Sequence, residues 1–145
     1  MEAQSILVLC TGNSCRSQMA EAYLKHFSEE LSIHSAGLRA DGLNPLMVQV
    51  MREDGIDVSG QRSTSLNELG NARFDMVITV CDHAKESCPY FPADTLILHR
   101  NFRDPAKATG TPDEVIAVFR NVRNEIKAFC KEFMQSVLPN YYRST

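Results

Sequence analysis

The strongest constraint on the fold is an apolar run near the N-terminus that passes through a short polar turn directly into a helix. Residues 5–9 read SILVL and predict a buried strand, because a short continuous apolar run fits a sheet interior. Residues 17–27 place Met19, Tyr23 and Phe27 on one helical face. Only the stretch CTGNSCR separates the two patterns, so the chain begins with a strand–turn–helix unit.

The rest of the chain continues this alternation of strands and helices. Further strands are predicted at 31–36, 75–80 and 95–98. Helices are predicted from Pro45 to about Glu53, behind an Asn44 N-cap, and from Pro112 onward, behind a Thr111 cap. The pattern predicts one domain over residues 1–145. Its fold would be a three-layer α/β sandwich, with a central, mostly parallel open sheet of about four strands and helices on both faces.

Composition narrows the class of protein. The chain has 145 residues, of which 43% are apolar and 23% charged, with a net charge of −3. This is typical of a soluble globular domain, and no two Lys or Arg residues are adjacent, so nothing indicates a nucleic-acid partner. The N-terminal stretch MEAQSILVLC is too short and not basic enough for a signal peptide or a membrane span. We expect a cytoplasmic protein with no membrane association, acting as a monomer.

Five cysteines in a cytoplasmic chain favour redox chemistry or metal binding over structural disulfides. Cys130 falls on the apolar stripe of the last helix and is predicted to be a core residue. A zinc site would need Cys10, Cys15, Cys81 and Cys88 together. Their spacing exceeds that of ordinary zinc motifs and a nearby arginine would oppose the metal, so we predict no bound metal. No histidine shows metal-ligand spacing.

The turn at residues 10–16, which we call the anion loop, has the chemistry of an oxyanion site. Gly12 and Asn13 tolerate positive φ, so the backbone can turn its N–H groups inward. The helix that follows adds its positive N-terminal end, and Arg16 offers a planar fork for two oxygens of a tetrahedral anion. Such surroundings should lower the pKa of Cys10, with further help from the Ser17 hydroxyl. The loop therefore predicts a thiolate that attacks the central atom of a phosphate-like dianion.

Two further segments are expected to join this loop. In open parallel sheets, ligands sit beyond the carboxyl ends of the strands. Cys81 follows the predicted strand at 75–80, and Asp104 lies in the loop after the strand at 95–98. Both side chains should therefore lie near Cys10. The simplest alternatives are a buried thiol for Cys81 and a solvated turn residue for Asp104, which precedes Pro105.

Several stretches together resemble a known family. They are CTGNSCRSQMAEA at 10–22, SAGLRADGLNP at 35–45, GIDVSGQ at 55–61, VITVCDHAKESCP at 77–89 and FRDPA at 102–106. The N-terminal loop resembles that of the low-molecular-weight protein tyrosine phosphatases. The full set, which spans nearly the whole chain, is more similar to the thioredoxin-coupled arsenate reductases of the same fold.

The resemblance implies roles for individual residues. Cys10 would be the nucleophile, Asp104 the proton donor, and Cys81 and Cys88 a redox relay that delivers a disulfide to thioredoxin. Arsenate, or phosphate or sulfate as its analogues, would bind the following residues: Thr11, Gly12, Asn13, Ser14, Cys15, Arg16 and Ser17. For Cys15 itself, packing beneath the loop is the simpler interpretation. No organic cofactor is implied.

The relay makes a geometric demand. If residues 82–88 are helical, Cys81 and Cys88 are separated by about 10 Å along the helix axis. A disulfide needs Cα atoms within about 7 Å, so this segment must unwind when the bond forms. We therefore predict that residues 81–92 change conformation with redox state.

Some arsenate reductases of this type look to hold a potassium ion beside the loop. Asn13, Glu21 and Ser35 match that pattern, but Thr64 stands where an acidic residue is usual. The missing charge predicts that potassium is not tightly bound.

Two other functions remain open from the sequence. A phosphatase of the same fold would use Cys10 and Asp104 but finish with water. In the phosphatase branch tyrosines follow the Asp-Pro, whereas here Ala106 and Lys107 do. A non-enzymatic redox or arsenite sensor would use the cysteines to change shape, but no basic DNA-binding helix is visible as an output surface. Arg39 and Arg103 are predicted to be surface charges.

Overall fold

The computed structural model describes residues 4–87, 91–92 and 94–139. Its strands are Ser5–Cys10 (β1), Ser32–Gly37 (β2), Met76–Thr79 (β3) and Leu96–His99 (β4), and its α-helices are Arg16–Phe27 (α1), Pro45–Glu53 (α2), Asp82–Glu86 (α3) and Pro112–Glu132 (α4). Short 3₁₀ helices lie at Leu66–Leu69 and Pro105–Lys107, and a π-helical turn at Phe133–Val137 continues α4. No helix in these ranges has the length and apolar character needed to span a bilayer.

The four strands form one parallel sheet in the order β2-β1-β3-β4. β1 lies in the interior of the sheet, and its residues from Ile6 to Cys10 are buried, which explains why its sequence is uniformly apolar. The predicted α/β class and the parallel sheet are confirmed.

The connections place helices around the sheet. The step from β1 to β2 and the step from β3 to β4 move in opposite directions across the sheet. Because such crossovers are right-handed, α1 and α3 belong on opposite faces. α1 packs on β1 and β2, and α4 packs against both α1 and α2. The predicted apolar stripe of α4 is confirmed, with Phe119, Val122, Ile126 and Cys130 buried.

The helix starts follow the predicted capping signals. The Asn44 side chain accepts hydrogen bonds from the backbone N–H groups of Leu46 and Met47, at 2.9 and 3.2 Å. At the start of α4, Thr111 and Glu114 form a reciprocal capping box. Both caps are readable from sequence because they depend only on local spacing.

The strand ends differ slightly from the predicted bounds, and the difference matters for the site. β1 reaches Cys10, which pairs with Gly37 at the end of β2. β3 ends earlier than predicted, at Thr79, opposite His99 of β4. Cys10 is therefore fixed within the sheet, whereas Cys81 stands two residues beyond its strand, as the N-cap of α3.

Candidate active site

The anion loop lies between the sheet and α1, at the carboxyl end of β1. Cys10 is the last residue of β1 and Arg16 the first of α1. Cys10 and Cys15 are each only 3% exposed. The turn therefore joins two buried elements, and its conformation is imposed from both ends.

Asn13 fixes the shape of the loop from behind. It adopts a left-handed backbone conformation, with φ of 49°, and is fully buried. Its amide nitrogen donates to the hydroxyls of Ser17 and Ser35, at 2.8 and 2.9 Å, and its side-chain oxygen accepts from the Thr64 N–H at 2.8 Å. Asn13 thus connects the loop to α1, β2 and the segment at 64 in one network.

This network involves two of the predicted anion-binding residues, Asn13 and Ser17. Their side chains lie behind the loop, where the Ser17 hydroxyl accepts the hydrogen bond of Asn13, and neither residue lines the cavity. Anion binding by their backbone N–H groups, and a hydrogen bond from the Ser17 hydroxyl to the Cys10 sulfur, stay predictions.

The two glycines at the loop differ in how closely they are packed. Gly12 does not have a positive φ. A Cβ there would lie 2.3 Å from Oδ2 of Asp41, an exposed side chain that can move aside, so packing alone does not require glycine at 12. Gly37, at the end of β2, is confined by backbone atoms, because a Cβ would lie 2.6 Å from the Thr11 carbonyl oxygen. The segment after β2 therefore lies directly against the anion loop.

Arg16 and Asp104 meet at one side of the cavity. A guanidinium nitrogen of Arg16 donates to the Phe102 carbonyl at 3.0 Å, and another lies 3.6 Å from the Asp104 carboxylate. The other carboxylate oxygen of Asp104 accepts from the Ala106 N–H at 3.0 Å, which caps the short helix at 105–107. The predicted proximity of Asp104 to the loop is confirmed by this geometry.

Cys81 reaches the same cavity from β3. Its sulfur lies 3.2 Å from the Thr11 hydroxyl and accepts a hydrogen bond from the Ala84 N–H at 3.3 Å. It is also a hydrogen-bonding neighbour of the Cys10 thiol. Two sulfurs from neighbouring strands thus meet without any rearrangement of the sheet.

One cavity of about 470 Å³ collects most of the predicted residues. It is lined by Cys10, Thr11, Gly12, Ser14, Cys15, Arg16, Cys81 and Asp104, and also by Arg39, Asp41, Asp82, His83, Ala106 and Lys107. The charges around its mouth are mixed, so an anion would be attracted by the loop itself rather than by a general positive field.

The distribution of charge between the two thiols differs from the prediction. The hydrogen bond from the Cys10 thiol, followed by those from Thr11 and Ala84, lowers the pKa of Cys81 to about 5. The hydrogen bond to Cys81 and burial raise the pKa of Cys10, although the positive charge of Arg16 opposes this. In the loop without an anion the pKa of Cys10 is thus raised rather than lowered, because the hydrogen bond with Cys81 and burial outweigh the charge of Arg16.

The comparisons with known proteins agree with this geometry. The family model for low molecular weight phosphotyrosine protein phosphatases matches residues 5–141. The chain belongs to this family. A protein of Halalkalibacterium halodurans named arsenate reductase is 45% identical over 137 residues, covering 94% of this chain and 99% of its own. Another arsenate reductase, from Shouchella clausii, is 48% identical over 139 residues, with the same coverage.

A solved structure described as an arsenate reductase in the phosphate binding state superposes with a TM-score of 0.74. It is 27% identical and is matched over 91% of this chain and 97% of its own. The resemblance to the low-molecular-weight phosphatase fold and to its arsenate reductase branch is confirmed.

Cys15 and Cys130 differ from Cys10 and Cys81 in having no assigned role in the reaction. Burial raises the pKa of Cys15 to about 11, so its thiol is neutral at pH 7. Cys15 nevertheless lines the cavity, so it is not hidden beneath the loop. Cys130 is fully buried in the core, as expected. Cys88 lies outside the described residues, and within them no three metal-binding side chains form a cluster.

The residues that match the potassium pattern come together, and their side-chain oxygens already take part in hydrogen bonds. Glu21 accepts a hydrogen bond from the Ser35 hydroxyl at 2.5 Å and pairs with Lys25, also at 2.5 Å. The side-chain oxygen of Asn13 is taken by the Thr64 N–H. An oxygen that accepts one hydrogen bond keeps a further lone pair, so these contacts do not decide the question, and weak potassium binding stays the prediction that follows from Thr64. The Lys25 ammonium supplies the positive charge beside Glu21.

Sequence reasoning missed several contacts at the cavity. Arg39 is exposed, as predicted, but it also lines the mouth, where its Nε lies 2.9 Å from the Asp41 carboxylate. Thr11 was assigned to the anion alone, yet its hydroxyl contacts Cys81. One signal in the sequence could have indicated the place of Arg39 at the cavity mouth. Gly37 ends a strand next to β1, so the residues after it must pass the anion loop.

Proposed function

We propose that this protein is an enzyme that reduces arsenate to arsenite. The observation that carries the proposal is the meeting of Cys10 and Cys81 in one cavity with Arg16 and Asp104. A phosphatase needs only the first thiol, whereas a reductase needs a second thiol within reach of the first. The relatives named arsenate reductase, each matched over nearly its whole length, support the same function.

The first step uses the anion loop. Arsenate binds with its oxygens on the loop N–H groups and on Arg16, and the related arsenate reductase in a phosphate binding state supports a tetrahedral oxyanion there. The hydrogen bond between the two thiols lets the Cys10 proton pass to Cys81, which leaves Cys10 as the thiolate. The Cys10 thiolate then attacks arsenic, and Asp104 protonates the departing oxygen, which leaves as water.

The second step transfers two electrons. Cys81 loses its proton again and attacks the Cys10 sulfur, which forms a disulfide and breaks the bond between sulfur and arsenic. The electron pair of that bond stays on arsenic, so arsenic(V) becomes arsenic(III) and leaves as arsenite. The two thiols together supply the two electrons.

The third step returns Cys10 to its starting state. Cys88 attacks Cys81, releases the Cys10 thiolate, and leaves a disulfide between 81 and 88. A dithiol donor then reduces that disulfide. We propose thioredoxin as this donor, on the resemblance to thioredoxin-coupled reductases.

Phosphoester hydrolysis is the second candidate function, favoured by the family model and by the fact that Cys10, Arg16 and Asp104 alone suffice for it. Arsenate and phosphate are similar in shape and charge, so we expect some phosphatase activity alongside reduction.

Replacement of Cys81 by serine separates the two functions. Cys81→Ser should abolish arsenite production with thioredoxin and keep hydrolysis of p-nitrophenyl phosphate within a few-fold of the parent protein, because hydrolysis needs no second thiol. Arsenite release and nitrophenol release are measured on the same preparations. Undiminished arsenite production by Cys81→Ser would contradict the proposed function.

A further inference from the structure

A histidine outside the cavity is connected to the second thiol through α3. His99 is the last residue of β4, and its Nε2 lies 2.8 Å from the Asp82 carboxylate. Its Nδ1 lies 2.7 Å from the hydroxyl of Thr79, which is fully buried. Asp82 is the first residue of α3 and directly follows Cys81.

A second contact holds the same residue. The backbone N–H of Asp82 donates to the Asn101 side chain at 3.1 Å. Among the described residues, the hydrogen bonds that join α3 itself to other elements all go through Asp82, to His99 and to Asn101.

α3 depends on such contacts for its shape. It has five residues, and only Ala84 among them is buried. A helix this short is not stable by itself, because the cost of nucleation exceeds what one turn of hydrogen bonds returns. The hydrogen bond from the Ala84 N–H to the Cys81 sulfur therefore depends on the contacts that hold the first turn of α3 in place.

The hydrogen bond between His99 and Asp82 can form whether the His99 ring is neutral or charged. A carboxylate can only accept hydrogen bonds, so Nε2 of His99 carries the proton in its contact with Asp82. The Thr79 hydroxyl can donate to Nδ1 of a neutral ring. Alternatively it can accept from Nδ1–H of a charged ring while donating to the Leu98 carbonyl, 3.4 Å away. The Asp82 contact is thus kept in both protonation states of His99.

We propose that His99 and Asn101 are positioning residues for Cys81, which they serve by holding Asp82 and with it the first turn of α3. The inference rests on the proposed function, in which Cys81 is the thiol that expels arsenite. His99 does not line the cavity and does not touch the anion loop.

The test compares His99→Ala with His99→Gln, whose side-chain N–H can still reach Asp82, and with Asn101→Ala. The matched control is His34→Ala, which removes a histidine from β2 at the opposite edge of the sheet. Thiolate formation is followed by absorbance at 240 nm between pH 4 and pH 8, with the double variant Cys10→Ser/Cys81→Ser, in which neither thiol of the pair is present, as the baseline. Steady-state arsenate reduction with thioredoxin and hydrolysis of p-nitrophenyl phosphate are measured in parallel.

We expect His99→Ala to move the Cys81 titration upward by about one pH unit, because one unit corresponds to a tenfold change in thiolate below the pKa. The kcat for arsenate should fall about fivefold at pH 5 and by less than twofold at pH 7, while KM for arsenate and phosphatase activity stay within twofold. Asn101→Ala should show the same pattern with a smaller effect. His99→Gln and His34→Ala should match the parent protein.

An unchanged titration and unchanged arsenate kcat in His99→Ala would overturn the proposal. So would an equal loss of both activities in His99→Ala, His99→Gln and Asn101→Ala, since that would indicate a general role in folding. If the parent protein reduces no arsenate, the proposed function fails. The titration then still decides whether His99 positions Cys81.

Discussion

The two turns that carry the reactive thiols are built in opposite ways. The anion loop leads into α1, twelve residues long and buried from Arg16 to Leu24. The turn after β3 leads into α3, five residues long, with only Ala84 buried. The fully buried Asn13 is connected to three other parts of the chain by side-chain hydrogen bonds, whereas α3 is held through the exposed residue Asp82.

The difference corresponds to the work each turn does in the proposed reaction. Anion binding benefits from donors that are fixed before the ligand arrives, because no ordering cost is then paid on binding. We expect a disulfide between 81 and 88 to need a rearrangement of the segment between them, of which 88–90 lie outside the described residues. A short helix with few stabilising contacts opens at low cost. The anion loop is therefore suited to bind the anion, and the turn after β3 is suited to change conformation.

The largest effect is expected from replacement of the thiol in the rigid turn. Cys10→Ser should reduce both arsenate reduction and phosphatase activity below detection, because a serine hydroxyl does not ionise at neutral pH in this site. Cys130→Ala is the control, since Cys130 lies in the core away from the cavity. Arsenite production by Cys10→Ser at a substantial fraction of the parent rate would show that another thiol attacks arsenate.

The rigidity of the anion loop is tested by Asn13→Ala. The change leaves a Thr64 N–H without its acceptor and puts alanine at φ of 49°, so the free energy of unfolding should fall by about 3 kcal/mol. Affinity for phosphate should fall with it. Urea denaturation and phosphate titration give the two values.

The matched change in the other turn is Asn101→Ala, which removes one hydrogen bond at an exposed site. It should lower the free energy of unfolding by less than about 1 kcal/mol. Equal losses in the two variants would contradict the contrast between a fixed and a loosely held turn.

A smaller effect is expected where the two turns touch. Thr11→Val removes the hydroxyl that lies 3.2 Å from the Cys81 sulfur, so the pKa of Cys81 should rise from about 5. A rise of about one unit lowers the thiolate fraction several-fold near pH 5 and leaves it almost unchanged at pH 8. The pH profile of arsenate reduction should lose its acidic side in this variant. A profile that falls uniformly at all pH values would assign Thr11 to anion binding alone.

Local patterns were sufficient to predict the fold and most of the loop. The caps at Asn44 and Thr111 and the strand–turn–helix around Cys10 depend on residues close in sequence. The contacts that set the charge of the thiols do not. Thr11 reaches Cys81 only because β1 and β3 are neighbours in the sheet, and His99 reaches Asp82 only because β4 lies beside β3 in that register.

The wrong expectation for the pKa of Cys10 has the same origin. Considered with Arg16 and the helix alone, Cys10 should ionise first. The structure adds a second sulfur with better donors, Thr11 and Ala84, and the shared hydrogen bond shifts the charge to it. The sequence placed Cys81 near Cys10, but it could not show that the Thr11 hydroxyl and the Ala84 N–H would lie at the Cys81 sulfur.

The central claim is that Cys81 expels arsenite by attacking Cys10. The most direct measurement uses Cys88→Ser, mixed with excess arsenate in the absence of any thiol donor, with arsenite counted and the cysteine-containing peptides analysed by mass spectrometry. The account predicts one arsenite per protein chain and a disulfide between Cys10 and Cys81. No arsenite and no such disulfide, in a protein that still hydrolyses p-nitrophenyl phosphate, would contradict it.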